Sequence, residues 1–559
     1  MFKRNFGRFF TSVLAPTLAV LLVLFLLIST GALPASQLGS DTAMEQSNVI
    51  TYAMSTEPNL DPHWNVSTTG AMLQSMIREG LYKVTETGIA LAGAESVDVN
   101  SNATVWTFSL RRDAFWNDGE PVTAGDYVYS MQRLVDPAIA TTFMRDYGQF
   151  LKNGAEISDG AMEVSRLGVR AIDDYTLEIE LANPCTFFDT ILTYSAFYPL
   201  RADTVSEDGI GEWAWEVENA VTNGAMNMVY CDEAHEIVLE KNTAYWDAAN
   251  IAADRIVVKL MDDTSAALAM LEAGEIDVID SFPAEEVERL QAAGLYHSAA
   301  KLSTNFLLLN CLDTTDNVLT DVRIRKALSL AIDREYLCSV LLRGTKTPAV
   351  ALVGNGFPGS TFAQDFRMEG GRLIPADIQA NVAEAQKLMT EAGYPDGDGF
   401  PVITCSFSDA NADHAVVFEY LRMAWKEHLG IDVELQPMEP AAMTELRDAG
   451  KFEITPQSWG ADYMDASNML SIFVTGNLIN GGKYSCAEYD EKYAESLRTV
   501  DQVARMALLH RCEELLIVED CAVIPLYHAS AAAIYSEERL ENVKIAANGK
   551  IMLTDIVEK

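Results

Sequence analysis

One recurring piece of punctuation limits this chain more than anything else: a helix, a glycine, then a strand. Ser265–Ala273 has helical spacing, stops at Gly274, and Glu275-Ile276-Asp277-Val278 begins a strand. Phe418–Leu429 stops at Gly430, and Ile431–Leu435 follows directly. Ala383–Ala392 is a third such helix, ended by Gly393-Tyr394-Pro395-Asp396-Gly397. Glycine tolerates the left-handed backbone that closes a helix, so the stop has a steric cause. Helices and strands alternating in this way belong to a sheet covered by helices, which places the chain in the α/β class.

Other segments add detail. Val49–Met54 reads as a strand running into a loop with two prolines, Ser55–Trp64. Met72–Ile77 reads as a helix with Gly80 as its stop. Trp106–Arg111 alternates large apolar and small polar residues, a half-buried strand. Thr123-Ala124-Gly125-Asp126 is a Thr-x-x-Asp helix start, and the helix stops before Asp136-Pro137. Val169–Leu181 reads as two strands about an Asp-Asp turn. Asp321–Asp333 is amphipathic, with Ile324, Ala327, Leu328 and Ala331 on one face. Ala522–Tyr527 is a strand containing Pro525, which predicts an edge or terminal strand.

At 559 residues the chain exceeds one simple core and suggests about three domains. Eighty-one acidic against 40 basic residues give a net charge of −41, which repels phosphate backbones and argues against nucleic-acid binding. Lys3, Arg4 and Arg8 precede an apolar run from Val13 to Ile28, with no acidic residue before Asp41. That pattern predicts an export signal or a membrane anchor within residues 1–40, and an extracytoplasmic body. No Cys follows the run, so a lipidated cysteine is not expected. Eight cysteines without a CxxC pair leave disulfides and buried thiols both open. The seven histidines show no ligand spacing, and no HExxH or GxSxG occurs, so neither a metal or cofactor nor an enzyme is expected.

Late in the chain, Ser458-Trp459-Gly460-Ala461-Asp462-Tyr463-Met464-Asp465 sets an aromatic face beside a carboxylate. Together they suit a cationic group. The plainer alternative is a core tryptophan and an aspartate capping the next helix.

Several motifs occur in one order. They are Glu57–Pro62, Glu79-Gly80-Leu81-Tyr82, the Trp106–Ser130 block, Thr222–Ala225, Gly274–Asp277, Asp321–Leu328, Glu391–Pro395 and Trp459–Tyr463. Between about Val49 and Tyr527 they resemble the solute-binding proteins of peptide-type ABC importers. Trp-Gly-Ala-Asp-Tyr resembles the oligopeptide-binding branch in particular. The resemblance implies an α/β, two-lobed periplasmic-binding-protein-like clam shell (type II, cluster C) with an extra α/β domain. One lobe would combine residues 41–83, 183–303 and 528–559, with the extra domain at 84–182, and the other would be 304–527. The lobes would close on a ligand about a hinge.

The resemblance also implies a site. Asp462 would pair with the free ammonium of a peptide, with Ser458, Trp459 and Gly460 beside it. Glu57 and Pro58 would lie along the peptide backbone, and Tyr527 would face the ligand. His414 would face the far end of the peptide, Arg447 would lie near the pocket, and Phe143 would form an aromatic wall. A family cation three residues before the tryptophan is Pro456 here, a family lysine falls in the stretch Asp313–Asp316, and Pro440 replaces another wall position. Positions that carry a disulfide in some homologues read Ser303 and Gly460. The expected protein is a monomer that takes short peptides to ABC permease subunits. A receptor for a nickel chelate, haem or another small cationic solute, and a peptide-signal sensor, are the alternatives.

Overall fold

Apolar residues at alternate positions of Val49–Met54 (β1) are buried, and the strand lies parallel to a later one from Val49↔Arg255 to Met54↔Leu260. The computed structural model describes residues 47–559 except 55–58, 66, 87, 142–144, 146, 206–211, 218–219, 313–316 and 362–363. The expected N-terminal signal or anchor, Glu57, Pro58, Phe143 and Asp313–Asp316 lie outside the described residues. No helix among the described residues is long and apolar enough to cross a membrane. Val49–Lys559 pack as one unit.

The loop after β1 is fixed by a buried ion pair. Arg133 donates to both Asp61 oxygens at 2.8 and 2.5 Å, and the Trp213 indole adds a bond of 3.2 Å. Burial alone would raise the Asp61 pKa, but Arg133 and the hydrogen bonds bring it below its ordinary value. His63 Nε2 donates to Ala196 O at 2.9 Å, leaving Nδ1 to accept from Arg133 at 2.6 Å. Burial, with Arg133 beside it, keeps that imidazole neutral, its pKa lowered to about 3.

Helix α1 (Thr68–Ile77) begins on Ser67, whose Oγ accepts from Gly70 N–H at 3.0 Å. It ends at Ile77 with Arg78 extended, so Gly80 is not its stop. Gly80 has a packing role instead: a Cβ there would lie 2.6 Å from the Tyr198 ring. A short hairpin, β2 (Tyr82–Val84) and β3 (Ile89–Leu91), leads into a four-stranded antiparallel sheet. Its strands are β4 (Ala94–Val99), β5 (Val105–Leu110), β6 (Val169–Asp173) and β7 (Thr176–Glu180), in the order β4-β5-β7-β6. Helix α2 (Ala124–Val135) covers it, started by the full Thr123–Asp126 capping box. Trp106, Phe108, Tyr127, Leu134, Leu177 and Phe188 fill the core between them. Each such aromatic contributes roughly 1.5–3 kcal/mol by burial.

Strands β8 (Met226–Asp232), β9 (Glu236–Lys241), β10 (Arg255–Leu260) and β11 (Val278–Ile279) join β1 in a second sheet. Helix α3 (Thr264–Ala273) ends at Gly274, whose φ of 77° is the left-handed stop expected there. Two long strands then cross the molecule, β12 (Tyr296–Leu309) and β17 (Val523–Ile534), with the short β13 (Thr347–Pro348) beside β17. Between them the chain builds the other lobe. Its strands are β14 (Ile403–Ser408), β15 (Val433–Met438) and β16 (Ile454–Gly460). Its longer helices are α4 (Val322–Leu330), α5 (Ile378–Glu391), α6 (Ala412–Leu429), α7 (Pro440–Asp448), α8 (Ala487–Ser496) and α9 (Gln502–Glu514).

The strand path runs β15-β14-β16-β12-β17-β11-β1-β10-β9-β8. β17 is interior to this order, but at Pro525 it pairs, among the described residues, with β12 alone, so the proline occupies a locally one-sided stretch, as an edge strand would offer. The missing N–H is absorbed by an irregularity: pairing with β12 shifts register between Asn305↔Tyr527 and Phe306↔Pro525. A second shift lies between Ala300 and Thr304. On one side of it Ala533 and Ile534 join the cores of the first lobe. On the other, Leu307, Leu309, Ile524 and Tyr527 join a core of the second. The crossing strands therefore change lobes at a break in their own ladder.

Candidate ligand-binding site

Three strands of the second lobe end at one edge. β14 runs parallel to β15 from Ile403↔Val433 to Ser408↔Met438, and parallel to β16 at Cys405↔Ile454. In open α/β sheets the carboxyl ends of parallel strands are where ligands sit. Here that edge carries Ser458, Trp459 and Gly460 at the end of β16 with Ala461 and Asp462 after it, and the loop 409–411 between β14 and α6, whose first turn holds His414.

Ser458 and Gly460 are exposed on β16. Gly460 lies opposite Ser303, and a Cβ there would sit 3.7 Å from Ser303 Oγ, an ordinary contact, so packing does not demand glycine. All eight cysteines are free thiols. Trp459 is half-buried against the core of the second lobe. Its Nε1 donates to Asn468 Oδ1 at 3.0 Å, and the Asp462 backbone N–H donates to the same oxygen at 3.4 Å. Asn468, on the short helix Ala466–Ser471, therefore fixes both residues of the motif.

The Asp462 carboxylate accepts from the Tyr147 hydroxyl and interacts with the Asn468 side chain. Tyr147 stacks on Tyr194 with ring centres 4.6 Å apart. No Lys, Arg or His among the described residues lies within 4.0 Å of Asp462. Burial raises its pKa above the ordinary carboxylate value, and the hydrogen bonds offset that only in part. A carboxylate taken from water without a cation is an unmet electrostatic demand.

Asp465, three residues on, is the opposite case. It forms a buried two-pronged pair with Arg505 at 2.7 and 2.8 Å, and its Oδ1 caps the following helix through Ser467 N–H at 2.9 Å. The helix-capping aspartate of this stretch is thus Asp465, not Asp462. Between them Tyr463 stacks on Phe187 at 5.9 Å, and Arg505 lies 4.0 Å from the same Phe187 ring. The stretch therefore ties the second lobe to the core that surrounds the four-stranded sheet. Asp189 sits in this seam; burial and the nearby Asp465 raise its pKa to about 6.

The other expected residues are not gathered with Asp462. His414 starts α6 with Nδ1 3.3 Å from Ser408 O and its ring edge-on to Phe407 and Phe418. Arg447 lies at the far end of α7, 3.6 Å from Asp448 and against Gly481. Tyr527 is 3 % exposed, its ring inside the core of the second lobe and its phenol raised by burial and Asp413. Sequence reasoning missed Tyr147, Tyr194 and Asn468. A single sequence carries no signal for Tyr147, which lies far from Asp462 along the chain.

Comparisons with known proteins point one way. The profile of the bacterial extracellular solute-binding proteins, family 5 Middle, matches residues 89–481. The periplasmic oligopeptide-binding protein OppA of Escherichia coli is 30% identical over 497 residues, 87% of this chain and 88% of that protein. The unliganded open form of the murein tripeptide-binding protein MppA superposes with a TM-score of 0.77 at 27% identity, covering 92% of this chain and 98% of that one. Peptide-bound OppA of Listeria monocytogenes gives 0.72 at 27% identity, covering 92% and 99%.

Proposed function

The chain belongs to the bacterial extracellular solute-binding proteins of family 5, and we propose that it captures oligopeptides between two closing lobes and delivers them to an ABC importer. The observation that carries the reading is Asp462: a carboxylate in the seam between lobes, desolvated, with no cation of its own among the described residues. A peptide ammonium supplies the missing charge. As it binds, it displaces or shares the Tyr147 hydroxyl and brings the Asp462 pKa back down. The exposed end of β16 offers main-chain groups that any peptide can pair with, as in strand addition, so recognition does not depend on sequence.

In this reading Ser458, Trp459 and Gly460 frame the amino end, and His414, at the same strand edge, faces the chain beyond it. By the family resemblance Glu57, Pro58 and Phe143 would also meet the peptide, with Arg447 farther out, whereas Tyr527 lies inside the core of the second lobe. Lobe boundaries near 303 and 527 agree with the register break at Ala300–Thr304. The protein acts extracytoplasmically as a binding monomer, not an enzyme, exported or anchored by its first 40 residues. Peptide relatives in the same family support the substrate class: OppA of Haemophilus influenzae is solved in complex with RPPGFSPFR.

Mass spectrometry of ligand co-purified with the native protein tests the substrate. Mixed short peptides support the reading; a lone metal chelate or haem overturns it. N-acetylated peptides that bind as well as free ones would remove the ammonium from the mechanism and favour another cationic solute.

A further inference from the structure

A separate cavity of about 270 Å³ lies in the first lobe, between α1, the β2 segment and the C-terminal chain from Ala546 to Asp555. Asp462, Trp459 and Asn468 do not line it; the nearest shared wall is Thr193, the residue before Tyr194. Met72, Met76 and Ile551 give it an apolar side. Thr193, Asn548 and Lys550 also line it.

Among the described residues the carboxylates of the wall and Lys83 have partners, whereas Arg78 keeps its buried Nε unpaired and Lys550 is the wall's other cation without a carboxylate. Lys83 pairs with Asp247 at 3.1 Å, and Asp555 with Lys544 at 3.7 Å. Glu79 accepts from Tyr245 and, at 2.6 Å, from Trp246 Nε1. Arg78 donates to Leu60 O at 3.2 Å. The Lys550 ammonium has no hydrogen-bond acceptor and no carboxylate within 4.0 Å among the described residues. Burial, with Lys301 nearby, lowers its pKa to about 8. Its backbone is held rigidly: Lys550 N–H donates to Asn548 Oδ1 at 3.2 Å, and Lys550 O accepts from Ala546 N–H at 2.7 Å.

We propose that this cavity is a second binding site, for a small monocarboxylate with an apolar body, its carboxylate held by the Lys550 ammonium and its body laid against Met72, Met76 and Ile551. A single negative charge answers the one ammonium that lacks a partner. A multiply charged anion such as phosphate would face Asp247 and Asp555 in the same wall, so the site selects monoanions. The apolar side gives an alkyl chain a surface to leave water for. The site is independent of the peptide reading, because no group of the Asp462 cluster takes part.

Calorimetric titration of the full chain with hexanoate, and in parallel with the uncharged hexanamide, tests it. Saturable hexanoate binding is expected, with hexanamide at least about tenfold weaker, the size of one charge-assisted hydrogen bond. Lys550→Met should weaken hexanoate to the hexanamide level, Lys550→Arg should restore it, and Asp462→Asn should leave it unchanged. Absence of saturable binding, equal affinity for hexanoate and hexanamide, or loss of binding in Asp462→Asn would overturn the proposal. The two-ligand comparison on the native protein stands even if Lys550→Met folds poorly.

Discussion

Two aspartates three residues apart divide the labour of one motif. Asp465 has its cation built in, buried against Arg505, whereas Asp462 has none within 4.0 Å among the described residues. Asp462→Asn should weaken free-amine peptides by about 1.5–3 kcal/mol in a titration, leave N-acetylated peptides unaffected and barely move the melting temperature. Asp465→Asn should do the reverse. It strands a buried Arg505 and removes a cap, costing about 3–5 kcal/mol of unfolding free energy by denaturant melts. The raised Asp462 pKa also fixes a pH dependence. The ammonium needs the ionised carboxylate, so affinity is full above that pKa and is lost as pH falls through it, at a higher pH than an ordinary carboxylate would give. Titrations from pH 7 downward check this, and Asp462→Asn should abolish the slope.

At the scale of elements, glycines separate into two kinds. Gly274 and Gly430 close helices with φ of 77° and 72°, a backbone role that the helix–glycine–strand pattern announces. Gly80 lies where a glycine stop was expected, yet α1 has already ended, and the ring of Tyr198 is what excludes a side chain. Gly80→Ala should therefore cost about 1–3 kcal/mol by overpacking, and Gly80→Ala with Tyr198→Leu should recover part of it, measured by thermal unfolding. The capping box at Thr123 and the Asp-Asp hairpin turn were legible because both are local chemistry. The rule for prolines in strands is local and holds at Pro525 itself, but the bulge beside it at Leu526 is defined only by pairing with Asn305 and Phe306, more than 200 residues earlier.

Across the whole molecule, the proposed function requires lobes that meet in a seam and move about the pair of strands that crosses between them. The seam holds Asp189, whose pKa of about 6 lies above the 3.8 of an ordinary aspartate, beside Asp465. Ionising it disfavours the folded, packed state. Its penalty is full above pH 6 and is relieved as pH falls through 6 toward 3.8. Asp189→Asn should accordingly raise stability by about 1–3 kcal/mol at pH 7.5, with the gain vanishing near pH 4, as followed by melts across that range. Closure on a peptide should reduce the radius of gyration in solution scattering, and a proline placed at Ser303 should blunt that change by stiffening the break in the ladder.

The sequence by itself determined the elements and their class. Helix stops, capping boxes, alternating strands and the acidic surface all follow from interactions within a few residues or from composition, and the order of motifs carried the family. Tertiary structure alone decided which carboxylate is satisfied. Asp462 and Asp465 look alike in Trp459–Asp465, and what separates them is Arg505 on one side and Tyr147 on the other, brought in from different cores. It also buried Tyr527 and set Arg447 apart, because distance along a strand or helix does not say which face or end meets the cleft. Local chemistry is written in neighbouring residues; the electrostatic demand of a site depends on groups that only folding assembles.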